Sequence, residues 1–326
     1  MGELNMGNPQ TLEDFASWAI SNYPAAHYYL AIDDHGSGPW GISWDDTSNS
    51  DNITIPELND ALNSVTNNGT AKIDIVAFEA CLMGLYENAY DIRNYANYLF
   101  FFESISYGDT ETYSSYLSGL TSGMTAEQLG KRIVEQYTQL LSFSSTPHVS
   151  ALVDLSQMDA LQSAIDDLVN ALSGADSAKI AQARSDAQKF EENGDDVIGD
   201  SDPYVDLWDL ADQFSVQIPA AATQAGLVKA AVEAAVADYR ATSGYDWDHS
   251  NAHGLAIYYP DSATGAYSDY VNDQFYNSTR NGLWDEFLEG LYDTYSRSLS
   301  TNRGPVDRIT DYDTDSLIYI PLVTRK

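Results

Sequence analysis

Short apolar runs of strand length recur along this chain, each followed by a stretch of helical period, and that alternation limits its fold more than any other feature. IDIVAF, from Ile73 to Phe78, is the clearest example. It is apolar apart from Asp74, too short for a helix, and followed by residues that favour one. About 45 residues earlier, HYYLAI leads into DDHGSG, and further runs lie at Leu99 to Phe102, Val149 to Asp154 and His253 to Pro260. Strands alternating with helices predict an α/β fold with a mainly parallel sheet and helices on both faces. In an open sheet of that kind, ligands bind beyond the carboxyl ends of the strands.

The intervening segments read as helices and loops. Thr11 to Asp14 has the pattern of a helix start, with Thr11 as cap and an acid three residues on. Pro56 opens a short helix over 56–66, and another is expected over 82–96. The stretch GPWGISWDDTSNSDN after His35 has the composition of a surface loop. Helices dominate from Ser156 to about residue 240, where Pro219 opens an Ala-rich helix expected to run to about Tyr239. After about residue 300 an acidic tail remains, residues 301–326, read as an extension or an edge strand.

Charge excludes several functions. Forty-nine acidic residues against 15 basic ones leave a net charge of −34. Phosphates would be repelled, so nucleic acid is a poor partner, as is an anionic membrane surface. No run of about 18 apolar residues occurs, so no membrane span is expected. Cationic substrates, calcium ions or a salty medium suit such a surface. Sequons at Asn52, Asn68 and Asn277 lean toward a secreted or cell-surface protein. The first ten residues lack the basic and apolar regions of a signal peptide.

Cys81 is the single cysteine, so an internal disulfide is excluded. It follows the IDIVAF strand, and His35 follows the HYYLAI strand, which places a thiol and an imidazole at two successive strand ends. Those are the parts of a cysteine hydrolase, although residue types alone leave Cys81 equally open as a small core residue. Gly36 and Cys81 would offer backbone N–H groups to an oxyanion, and a residue without a Cβ at position 36 lets substrate approach the backbone. Glu79, two residues before Cys81, points to the same face and would attract a cationic side chain. Asp33 and Asp34 read as strand-end residues outside the catalytic set. His27, His148, His249 and His253 lack tight ligand spacing apart from the last pair, which has no cysteine partner. The acidic stretches 195–202 and 307–315 lack the glycine and terminal Glu of an EF-hand loop. No metal site is assigned and no cofactor is required, with calcium remaining a compatible ion.

Several longer strings sharpen this reading. ELNMGNPQTLEDF, YPAAHYYLAIDDHGSG, IDIVAFEACLMGLYENAYDI, the YGD ending at Asp109, SALVDLSQM, YVDLWDLA and HGLAIYYP together resemble the clostripain-like cysteine peptidases, over about residues 3 to 295. The resemblance implies a caspase-type α/β fold, a catalytic domain over 1–300, and a dyad of His35 and Cys81 cleaving peptides or proteins after Arg or Lys. It also implies that the acid two before the cysteine lies at the floor of the P1 pocket. That acid is normally Asp and is Glu79 here, which would shorten the pocket. A second pocket acid matches Asp109.

The chain departs from the family pattern in three places. The family's opening strand would precede the ELNMG segment, so the sheet is expected to start one strand late. Phe101, Phe102, Glu103 and Ser104 stand where relatives have a small residue and an acidic pair. The loop from Gly36 to Asp51 holds no Lys or Arg, so self-cleavage there is not expected. These departures motivate a second reading, a catalytically silent binding or structural protein on the same fold. No oligomeric state follows from the sequence.

Overall fold

Parallel pairing of two short buried strands organises the chain. The computed structural model describes residues 2–106, 113–144, 147–190, 198, 202–244, 247–262, 270 and 282–296. Helix α1 (Pro9–Asn22) leads to β1 (Tyr29–Asp33), the hairpin strands β2 (Ile42–Asp45) and β3 (Asp51–Ile53), α2 (Ile55–Val65) and β4 (Ile73–Glu79). Then come α3 (Tyr86–Ile92), β5 (Ala96–Phe102), α4 (Tyr113–Leu117), α5 (Ala126–Ser144), β6 (His148–Asp154), α6 (Met158–Leu172) and α7 (Ser177–Asp186). The rest comprises β7 (Lys189–Phe190), β8 (Tyr204–Asp206), α8 (Leu207–Gln217), α9 (Ala222–Ala235), β9 (Val236–Thr242), β10 (Ala256–Tyr258) and α10 (Trp284–Ser296).

The main sheet has the order β1-β4-β5-β6-β9. Its β1–β4 and β4–β5 pairings are parallel, and β5–β6 and β6–β9 are antiparallel. The fold is therefore α/β as expected, with its parallel half carrying the strand ends of interest and β1 at the edge of the described sheet. A smaller antiparallel sheet, β10-β8-β7, takes up HGLAIYYP and YVDLWDLA, so that run lies outside the main sheet.

Strand periodicity explains why IDIVAF is apolar nearly throughout. Val76 and Phe78 face one core with Leu58 and Leu62 of α2, while Ile75 and Ala77 face a second with Ile133, Val134 and Tyr137 of α5. A strand covered on both faces needs apolar residues at both parities. Burying each large side chain contributes roughly 1.5–3 kcal/mol, so the two layers together hold the parallel strands in place.

Helix starts follow local chemistry. Thr54 and Glu57 form a reciprocal capping box for α2, with Pro56 in its first turn. At α1 the cap is Asn8, whose side chain accepts from Gln10 N, not Thr11. The Thr11 hydroxyl instead donates to Asn5 O at 2.7 Å, tying down the preceding chain.

Three other expectations are corrected. The Ala-rich helix ends at Ala235, and 236–242 pairs along β6, with Tyr239 opposite Ala151. The segment after His35 contains the β2–β3 hairpin rather than only loop. The helix expected over 82–96 is confined to 86–92, because Leu82 has a left-handed backbone (φ 60°) and Tyr95 precedes the next strand. The tail 301–326 lies outside the described residues. Among the described residues, no helix is long and apolar enough to cross a membrane.

Phe100 lies in the second core, its ring 5.2 Å from Tyr137 and 5.3 Å from Phe102. Phe100→Ala should lower unfolding free energy by about 3–5 kcal/mol. Denaturant melts should show the midpoint shifted with little change in slope.

Candidate active site

The register of β1 against β4 sets the site. Tyr29 faces Ile75 and Asp33 faces Glu79, so each pair is 46 residues apart. Carried two residues past the strand ends, the same offset pairs His35 with Cys81. Both chains turn there, Asp34 adopting φ 107° and Leu82 φ 60°, yet they stay together. A Cβ placed on Gly36 would lie 2.6 Å from Cys81 O and 2.8 Å from Ala80 Cβ, so only glycine lets the segment after His35 pass this close to Cys81.

His35 is exposed, and its backbone is fixed from both sides. Its N–H donates to Asp34 Oδ1 at 2.7 Å, and its carbonyl accepts from Ser43 N at 2.9 Å. The strained backbone of Asp34 is thus supported by its own side chain. Gly36 bridges to Ile42, while its N–H donates to no group among the described residues.

Cys81 is half-buried, and its thiol meets the loop after β5. The thiol donates to Ser106 O at 3.2 Å and accepts from Ser106 N at 3.3 Å. Leu82 N donates to Ser104 O, and Gly84 N to Phe102 O, extending the contact between the cysteine turn and the end of β5. A nucleophilic thiol, an imidazole and an available backbone N–H at one sheet edge suit acyl transfer.

Behind the thiol lies Glu79, 8% exposed. Its carboxylate accepts the hydroxyls of Tyr29 at 2.6 Å and Tyr113 at 2.5 Å. Burial pushes its pKa up, and those hydroxyl donors draw it back. Both tyrosines are held above their ordinary values by burial and by the charge of Glu79, so they stay protonated and donate. Asp33, its partner across the strands, has a pKa pushed up to about 6 by burial, with the Asp34 N–H opposing and Glu79 adding to the rise. Asp109 lies outside the described residues.

The remaining candidates are structural. Glu103 is buried against Gly84, accepts the Gly254 N–H at 2.8 Å, and is held well above the usual carboxylate range by burial and by Asp206. Asp206 is fully buried and caps α8 through Asp209 N, with His253 Nδ1 3.4 Å away. His253 stacks on Trp208 at 4.0 Å, and His249 meets Thr242 O, so the two rings do not converge. His27 pairs with Asp74, and His148 meets Thr242. Among the described residues, no three His, Cys, Asp or Glu side chains gather as metal ligands.

Sequence reasoning brought His35, Gly36, Glu79 and Cys81 to one place, and the structure assembles them there. It placed Asp33 at a strand end, as the structure does, but missed the tyrosines around Glu79 and the pairing of Asp33 with Glu79. For Asp33 a signal was present: it stands two residues before His35, as Glu79 stands two before Cys81.

Comparison with known proteins identifies the family and the fold. A family model, Peptidase_C11, described as the clostripain family, matches residues 1–290. Clostripain of Hathewaya histolytica is 34% identical over 105 residues, a stretch covering 28% of this chain and 19% of that protein. The chain therefore spans about a fifth of the length of that curated relative. A secreted C11 cysteine protease from Bacteroides thetaiotaomicron, solved with an irreversible peptide inhibitor, superposes with a TM-score of 0.63 at 20% identity, covering 86% of this chain and 79% of that one. An inactive zymogen C11 protease from Parabacteroides distasonis gives 0.62 at 19% identity, over 84% and 75%. These likenesses show a shared fold.

Two outcomes follow from the geometry. Gly36→Ala should cost about 1–3 kcal/mol, read from thermal or denaturant unfolding, because backbone must give way. Asp33 has a folded pKa above its unfolded value, so its contribution favours folding below about pH 4 and is lost as pH rises through about 6. Relative to wild type, Asp33→Asn should therefore gain stability across that window and hold the gain above it, measured by melts at stepped pH.

Proposed function

This chain belongs to the clostripain family, and from that premise we propose that it is a secreted cysteine endopeptidase cutting peptide bonds after Arg or Lys through His35 and Cys81. The observation that supports the reading is the β1–β4 register, which pairs Asp33 with Glu79 and brings the backbone at Gly36, next to His35, against that of Cys81.

In this reading the Cys81 thiolate attacks the carbonyl carbon of the scissile bond. The N–H groups of Gly36 and Cys81 receive the developing oxyanion. The carbon–nitrogen bond then breaks, and protonated His35 gives its proton to the leaving amine. Water attacks the resulting thioester, His35 takes a proton from it, and the carbon–sulfur bond breaks to release the acid product and restore the Cys81 thiolate beside protonated His35. Glu79 attracts the basic P1 side chain, and its extra methylene relative to Asp shortens the pocket. The negative neighbourhood disfavours the thiolate, and a protonated His35 offsets that. These steps use no cofactor. The secreted relative and the strongly acidic surface support action outside the cell.

Fluorogenic peptides with Arg or Lys at P1 should be cut by the purified chain. Cys81→Ala should reduce turnover to background, and His35→Ala should lower kcat/KM about 10²–10⁴-fold. If no basic substrate is cut and Cys81 resists a substrate-like alkylating inhibitor, the chain is a binding protein on a peptidase fold.

A further inference from the structure

We propose that Asp33 is a further, specificity-determining carboxylate of the P1 subsite, beyond the expected pocket acids Glu79 and Asp109, and that it acts with Glu79 to bind the guanidinium of an Arg substrate in preference to the ammonium of Lys. The inference rests on the proposed cleavage after basic residues and names the groups that read the side chain.

Register supplies the geometry. Asp33 and Glu79 are paired Cα partners on adjacent parallel strands. Tyr29, Ala31, Ile75 and Ala77, of the same parity, all face the α4–α5 layer, so both acids project to that face. His35 and Cys81 follow each acid by two residues. Two residues of strand span about 6.6 Å, a distance suited to a long basic side chain whose backbone lies at the thiol.

The two acids are unequal. Glu79 is 8% exposed, and two tyrosine hydroxyls already use part of its acceptor capacity. Asp33 is only half-buried, so an entering cation meets it more directly. Among the described residues, neither acid has an ion pair with Lys, Arg or His. The charges acting on Asp33 are those of Glu79 and Asp34, both negative.

Partly buried charges are ordinarily paired or neutralised. Here the missing partner is a cation, which a basic substrate side chain reaching in from the thiol would bring. Neighbouring strands lie about 4.8 Å apart, so two carboxylates side by side suit a planar fork with several N–H donors better than a compact ammonium.

The test uses the full chain with peptides identical except at P1, which carries Arg, Lys or citrulline, the neutral isostere of Arg. Citrulline is the internal reference, because damage to His35 positioning lowers both rates and cancels in the ratio. In Asp33→Asn the Arg-to-citrulline ratio of kcat/KM should fall at least about tenfold, and the Arg-to-Lys ratio should move toward one. Asp33→Glu should recover part of the selectivity. Asp33→Ser gives the same reading should the amide variant not fold. Wild type that cuts after Arg, with ratios unchanged in Asp33→Asn, overturns this proposal alone. Loss of selectivity in Glu79→Gln but not in Asp33→Asn does the same. Wild type that cuts after neither Arg nor Lys overturns the proposed function together with it.

Discussion

Everything at the candidate site depends on the parallel pairing of β1 with β4 in one register. The pairing is held less by its hydrogen bonds than by what each strand buries. Leu30, Ile32, Val76 and Phe78 fill one core, and Tyr29, Ala31, Ile75 and Ala77 the other. A slip of one residue would exchange the two sets and turn every side chain to the wrong layer. The same slip would separate His35 from Cys81 and Asp33 from Glu79. The packing that stabilises the fold is thus also the packing that aligns the two strand ends.

Electrostatics around that alignment is one-sided. Acids lie behind both candidate catalytic residues, and a further buried acid, Glu103, sits against the turn that follows the cysteine. The protein manages these groups mostly through local hydrogen bonds and burial, and His253 is the basic neighbour of Asp206. Tyrosine hydroxyls hold Glu79, backbone amides hold Asp206 and Asp34, and burial keeps Glu103 toward its neutral form. The field at the thiol is therefore set by fixed dipoles and protonation, while the net charge acts on what approaches from solution.

The sequence disclosed features governed by local rules. IDIVAF was legible as a buried strand because every position but Asp74 is apolar, and Pro56 marked a helix start, to which the structure adds the Thr54–Glu57 capping box. Residues 236–239 were not legible: they continue an Ala-rich stretch of strong helix formers, and only pairing with β6, distant in sequence, turns them into strand. Thr11 misled for a related reason, since Asn8 offered a competing cap and Thr11 found a partner in Asn5. At the site, His35, Cys81 and Glu79 could be found from position relative to strand ends. The tyrosine contacts could not, because Tyr113 reaches Glu79 from a helix 34 residues away.

The constant offset across β1 and β4 also separates two properties that are usually entangled. The segments that carry the two candidate catalytic residues run side by side because their strands are zipped together, so much of the polypeptide joining them acts as a tether. Closing a longer tether costs little, about 0.6 kcal/mol per doubling of length. Apart from the residues that touch the strands and their ends, among them Ile42, Ser43, Leu58 and Leu62, the turns of this stretch are thus free, in evolutionary terms, to be enlarged or trimmed around an unchanged centre. Variation in this lineage should accumulate between the two strands while the strands themselves stay still.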